Sequence, residues 1–125
     1  MEERRDRLND AETSIENLKD VVRRFVRNRD WGKYHNPKDI AESVCIEAAE
    51  LLQLFQWIKP EESRKFKHDP SRMKQVEGEL ADVILYCLSM ANTLEIDLTT
   101  AVLDKVELNS EKYPVDLYKG KAHLT

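Results

Sequence analysis

Three observations predict an all-α fold, a bundle of four helices. Glycine and proline are scarce, at three and four in 125 residues, so the chain has few of the usual breakers. No run of β-branched residues alternates with polar ones, as a half-buried strand requires. Apolar residues recur instead every three or four positions through four long stretches, the spacing of one helix face. With 41% hydrophobic and 35% charged residues, the chain can form one modest core. A single domain, 1–125, is expected, with flexible ends at 1–12 and 115–125.

Each element has a local signal. The first helix is expected over 13–28, with Ile15, Leu18, Val22, Phe25 and Val26 on one face. Asn36-Pro37 then offers a capping side chain followed by a proline with its helical φ preset. The second helix is expected over 38–58, with Pro60 ending it. A short helical turn is expected over 61–66. Asp69-Pro70 repeats the start signal for a third helix over 71–94. Its stretch 80–91 is apolar nearly all round, which suits the centre of a bundle. Gly78 lies inside it at a cost of roughly 1 kcal/mol against alanine, so a kink or close packing is expected there. Asp97 caps a fourth helix over 98–112; Pro114 ends it, and an extended polar tail is expected to follow.

Charge and composition narrow the function classes. Lys plus Arg is 20 and Asp plus Glu is 24, so the net charge is 20 − 24 = −4, and the pI is about 5.4. An acidic chain is poorly suited to coating nucleic acid, which needs a basic surface. The longest apolar run, 83–88, is far short of the roughly 18–20 residues that span a bilayer, so no membrane partner is expected. Residues 1–5 are mostly charged and no apolar stretch follows, so no secretory leader is expected. Two cysteines, Cys45 and Cys87, make no disulfide framework; reduced thiols in a cytoplasmic protein are the expectation.

Four acids stand where core residues belong. At about 100° per residue, Ile40, Leu51, Leu54 and Ile58 fall within about 40° of Glu47, and Glu50 lies about 60° away. In the third helix Val76, Val83, Tyr86, Met90 and Leu94 cluster about Glu79, with Asp82 about 60° off. An unpartnered buried carboxylate is very costly, and four facing one another also repel. Few basic residues share these faces, so a metal ion is the simplest compensation. Glu47-x-x-Glu50 and Glu79-x-x-Asp82 each project two carboxylates side by side. An all-oxygen set suits Mg²⁺ or Mn²⁺, whereas di-iron bundles use Glu-x-x-His pairs. The competing explanation is ordinary surface acids, partnered by Lys or Arg, on helices turned the other way.

With these acids in place, the chain resembles a known family. Ile46-Glu47-Ala48-Ala49-Glu50-Leu51-Leu52-Gln53-Leu54-Phe55-Gln56-Trp57 and Glu79-Leu80-Ala81-Asp82-Val83-Ile84-Leu85-Tyr86 are similar to the MazG-like all-α nucleoside triphosphate pyrophosphohydrolases, most of all to their dCTP pyrophosphatase branch. Arg29-Asp30-Trp31 with His35 and Pro37, Ile96-Asp97-Leu98, and Lys105, Asn109 and Lys112-Tyr113-Pro114 agree with that branch. The resemblance covers about 18–114. It implies Mg²⁺-dependent cleavage of a nucleoside triphosphate to the monophosphate and pyrophosphate in nucleotide-pool housecleaning, and a homo-oligomer, dimer or tetramer. It places metal binding and catalysis on Glu47, Glu50, Glu79 and Asp82.

The resemblance also implies substrate contacts. Trp31 and Trp57 would stack on the base, a contact any base can make. His35 would hold the base edge or a phosphate, Tyr86 would place its hydroxyl on the substrate, and Lys105 and Asn109, with Lys112, would reach the phosphates. Each has a packing alternative: Trp57 as a core anchor, Tyr86 in the core, His35 in a turn, the lysine stripe as a solvated face. Two departures stand out. Gly78 replaces an acid frequent before the Glu79 position, and Val22 stands where the branch can carry a substrate-contacting His, so the preferred base stays open. The alternative functions are a non-catalytic helical oligomeric module for regulation or assembly and, disfavoured by charge, a nucleic-acid adaptor.

Overall fold

The computed structural model describes residues 8–122; 1–7 and 123–125, parts of the ends expected to be flexible, lie outside the described residues. All regular structure among the described residues is helical: α1 (Ile15–Asn28), α2 (Pro37–Gln53), α3 (Pro60–Ser63), α4 (Pro70–Leu94), α5 (Leu98–Lys112) and α6 (Val115–Tyr118), with 3₁₀ turns at Gly32–Tyr34 and Arg64–His68. The chain divides into two compact units, the first ending at Glu95 and the second beginning at Ile96.

Local chemistry sets the helix starts. The Asn36 side chain accepts from Asp39 N at 2.9 Å with Pro37 in the first turn. Asp69 accepts from Ser71 N and Arg72 N ahead of α4, and Asp97 accepts from Thr100 N ahead of α5. Each side chain satisfies a donor the helix leaves free. The end of α1 fixes the position of Trp31. Asp30 adopts a left-handed φ of 52°, Asp30 N donates to Arg27 O, and Trp31 N donates to Val26 O at 3.0 Å. This paired pattern is a Schellman turn, and it folds Trp31 back onto Phe25, edge to face, with centroids 5.8 Å apart.

In the first unit α2, α1 and the turn at Arg64–His68 all pack on α4, α2 most extensively. Val22, Ile40, Phe66, Leu88 and Ala91 are the buried apolar side chains. Asn92 pins α1 to α4: its Oδ1 accepts from Arg23 Nη2 at 2.8 Å, and its Nδ2 donates to Lys19 O at 3.0 Å.

Four expectations are corrected. The second helix ends at Gln53, not at 58. Residues 54–58 wind more tightly, with Phe55 N donating to Leu52 O and Ile58 N to Phe55 O, and Phe55 stacks on Phe66 at 4.8 Å. Pro60 opens α3 instead of only stopping α2, because proline holds Lys59 extended (ψ 149°) and then fits a first helical position. Gly78 does not mark close packing: a Cβ there would meet nothing within 4 Å, and α4 runs unbroken through it. The tail after Pro114 is coiled, since α6 follows and Tyr118 meets Tyr113 edge to face at 5.1 Å.

The all-round apolar stretch of α4 is covered only in part. Leu88 and Ala91 are buried, but Leu80, Ile84 and Leu85 are exposed, as are Ile46 and Leu52 of α2. In the second unit α5 has no buried residue and exposes Val102, Leu103, Val106 and Leu108. Among the described residues no helix is long and apolar enough to cross a membrane.

Candidate functional site

The packing of α2 on α4 brings acids together. One carboxylate oxygen from each of Glu47, Glu50 and Glu79 lies within 4.8 Å of the others. Glu47 and Glu50 are three apart on α2 and project side by side, and Glu79 meets them from α4. Glu47 and Glu79 are half-buried and Glu50 is exposed. Oε2 of Glu47 and Oε2 of Glu79 are shielded from solvent without a hydrogen-bond partner. Among the described residues the ion pairs, such as Lys33–Asp30 and Arg72–Asp69, lie elsewhere.

Loss of hydration, reinforced by the neighbouring carboxylates, raises both Glu47 and Glu79 above the ordinary 4.5; Glu50 and Asp82 act on both. Asp82, expected as a fourth converging ligand, is half-buried one turn further along α4. Its charge is felt, but its oxygens are not part of the converging trio; its side chain is a methylene shorter than a glutamate. Two orphaned, shielded carboxylate oxygens in an all-oxygen cluster fit a hard divalent cation.

A second group lies beside α4 in the same unit. His35 Nδ1 is 2.9 Å from Trp31 O. A carbonyl only accepts, so Nδ1 carries the proton and Nε2 keeps the lone pair in the neutral ring. The His35 ring stacks on Tyr86 at 6.5 Å and 18°, and Thr93 Oγ1 donates to His35 O at 3.2 Å. Tyr86 is therefore half-buried against the loop that carries Trp31 and His35. A cavity of about 300 Å³ opens between α1, this loop and α4, with Val22, Val26, His35, Ser89 and Asn92 among its walls.

Trp57 is 88% exposed, which excludes a core anchor. Trp31 is 42% exposed, with its ring near the Arg29 guanidinium at 5.9 Å. Lys105, Asn109 and Lys112 stand on α5 in the second unit, and all three are exposed.

Ser89, Asn92 and Thr93 are residues the sequence pattern did not single out. The signal was present. Asp82, Tyr86, Ser89 and Thr93 are spaced i, i+4, i+7 and i+11, so the stripe that carries the acids continues as polar side chains to the end of α4.

Comparison with known proteins agrees with this geometry. Residues 42–122 match the MazG-like family. The chain is 32% identical over 112 residues to dCTP pyrophosphatase 1 of Bos taurus, across 90% of this chain and 66% of that protein. It is 30% identical over 111 residues to dCTP pyrophosphatase 1 of Homo sapiens, across 89% and 65%. It thus spans just under two thirds of these relatives' length. A crystallised pyrophosphatase from Archaeoglobus fulgidus superposes with a TM-score of 0.73 at 40% identity, covering 86% of this chain and 99% of that one.

Proposed function

This chain belongs to the MazG-like family, and from that premise we propose that it is a nucleoside triphosphate pyrophosphohydrolase, releasing a monophosphate and pyrophosphate. The observation that carries the reading is the trio of converging carboxylates with two shielded, unpartnered oxygens. Relatives named dCTP pyrophosphatase 1 support a (deoxy)nucleotide substrate, dCTP-like or modified.

We assign Glu47, Glu50 and Glu79, assisted by Asp82, to Mg²⁺ or, equally by donor type, Mn²⁺. The bound cation would polarise the phosphoryl group and offset the charge of the triphosphate, which an acidic surface alone repels. The chain's own residues do the rest. A carboxylate of the cluster takes the proton of the attacking water as the bond to pyrophosphate breaks. The Tyr86 hydroxyl and the His35 ring, held by their mutual stacking, contact the substrate. Ser89 lies seven residues beyond Asp82 and ten beyond Glu79, so at 1.5 Å per residue the cavity is about 10–15 Å along α4 from the acids, a nucleotide's reach. The base is placed there, with Trp31 and the exposed Trp57 available for stacking. Lys105 and Asn109 are assigned to the phosphates by family resemblance.

Incubation with a panel of canonical and modified triphosphates, with and without Mg²⁺, tests the reading: pyrophosphate is expected from at least one, only with the metal. Orthophosphate as the product, or no turnover of any member, defeats it and leaves a non-catalytic module.

The bare apolar faces of α2, α4 and α5 support a homo-oligomer of two or four chains, because monomers rarely leave so many large apolar side chains uncovered. Sedimentation velocity at micromolar concentration is expected to show no 14.7 kDa species; a lone monomer peak contradicts this. A cytoplasmic location agrees with two free thiols, Cys45 and Cys87.

A further inference from the structure

Ser89 is 6% exposed, and its side chain borders the cavity between α1 and α4. Its hydroxyl has no hydrogen-bond partner among the described residues. A helical serine has a partner within easy reach, the carbonyl four residues back, and Ser110 uses it, donating to Val106 O at 2.9 Å. Ser89 does not. The solvent-shielded, unpartnered oxygens belong to Glu47 and Glu79, so the Ser89 hydroxyl opens into the cavity, where a ligand that displaces water can pair with it.

Its neighbours sharpen the point. Asn92 borders the same cavity but spends both ends of its amide on Arg23 and on Lys19 O. Thr93 spends its hydroxyl on His35 O. Across the cavity, His35 has Nδ1 committed to Trp31 O, so only Nε2 faces a ligand. Val22 and Val26 supply apolar wall. Arg27 and Asp30 also line the cavity, and apolar wall combined with the Ser89 hydroxyl and the fixed acceptor of His35 suits a flat ring with a polar edge.

We infer that Ser89 determines base specificity: its hydroxyl hydrogen-bonds the polar edge of the nucleobase held in the cavity between α1 and α4. This rests on the nucleotide reading above and adds the residue that chooses among bases. Removing the hydroxyl costs recognition and not fold.

The test uses the full chain as wild type, Ser89→Ala, Ser89→Thr and Asn92→Ala. Pyrophosphate release is measured with dATP, dCTP, dGTP and dTTP. Separately, binding of the four corresponding monophosphates is titrated with chelator present. Ser89→Ala is expected to lower kcat/KM for the preferred triphosphate about tenfold, the effect of one lost hydrogen bond, through KM. The other three should change by no more than about twofold, and monophosphate affinities should follow the same order. Ser89→Thr restores the preference. Ser89→Ala melts at or above the wild-type temperature, since no bond is lost and alanine favours helix, whereas Asn92→Ala melts lower. Unchanged selectivity in Ser89→Ala overturns the inference, and so does a lowered melting temperature with unchanged selectivity, the mark of a structural serine. If no triphosphate releases pyrophosphate but monophosphates bind with Ser89-dependent preference, the hydrolase reading falls and the inference stands. If no nucleotide binds at all, both fall.

Discussion

Glu47→Gln is expected to reduce pyrophosphate release on the order of 10³-fold or more and, in the same protein, to raise the melting temperature of the metal-free chain by a few degrees. The two effects have opposite signs for one reason. Glu47 holds a carboxylate oxygen out of solvent with no partner, beside Glu50 and Glu79. Glutamine keeps the shape and removes the charge, so the desolvation and repulsion that raise Glu47 are relieved. What is lost is an anionic ligand for a cation whose contribution to the transition state is several kcal/mol. A purely structural acid would behave the other way, with activity kept and stability lowered. Parallel measurement of turnover and thermal melting distinguishes the two; wild-type turnover in Glu47→Gln removes this carboxylate from the catalytic machinery.

The largest effect of conditions is expected from pH and metal together. Glu47 and Glu79 are both raised above 4.5 in the folded chain, first by lost hydration and then by neighbouring carboxylates. The metal-free folded state therefore keeps protons that the unfolded chain has already released. Its advantage is complete below about 4.5 and is lost as pH rises through the raised values. A divalent cation needs the deprotonated carboxylates, so its affinity increases over that same interval. At about 100 times its dissociation constant it adds roughly 2.7 kcal/mol to stability. Melting curves between pH 4 and 8, with chelator or with Mg²⁺ or Mn²⁺, should show a metal-induced rise that is absent at the acid end and widens towards neutrality. A shift that is equal at every pH places the ion elsewhere.

Much of this was legible in the chain. Asn36, Asp69 and Asp97 announced helix starts because capping is local chemistry: a side-chain oxygen reaches an amide two or three residues on, and no distant contact intervenes. The inward acids were legible because helical spacing decides which side chains share a face. The end of α2 was not. It depends on Phe55 meeting Phe66 across a turn, which periodicity cannot register, and the apolar pattern continued past the point where the helix stops. Asp82 was expected to converge with the glutamates, since a helical wheel gives angles and not side-chain reach. For Trp57 the family resemblance implied base stacking and the end of an amphipathic stretch offered a core anchor as the alternative; its exposure removes the alternative. Ser89 was hidden for a different reason. It lies within the stretch 80–91, apolar nearly all round, and only the cavity beside it points to a role for its hydroxyl.

The bare faces of α2, α4 and α5 also bear on how this gene tolerates mutation. If like chains cover Leu80, Ile84 or Val106, these positions are interior ones in everything but the lone chain's geometry. One codon change there is then repeated in every subunit of a symmetric assembly, so its penalty is multiplied by copy number. Tolerance should therefore be lowest at outward leucines and valines that a surface map of a single chain would mark as free to vary.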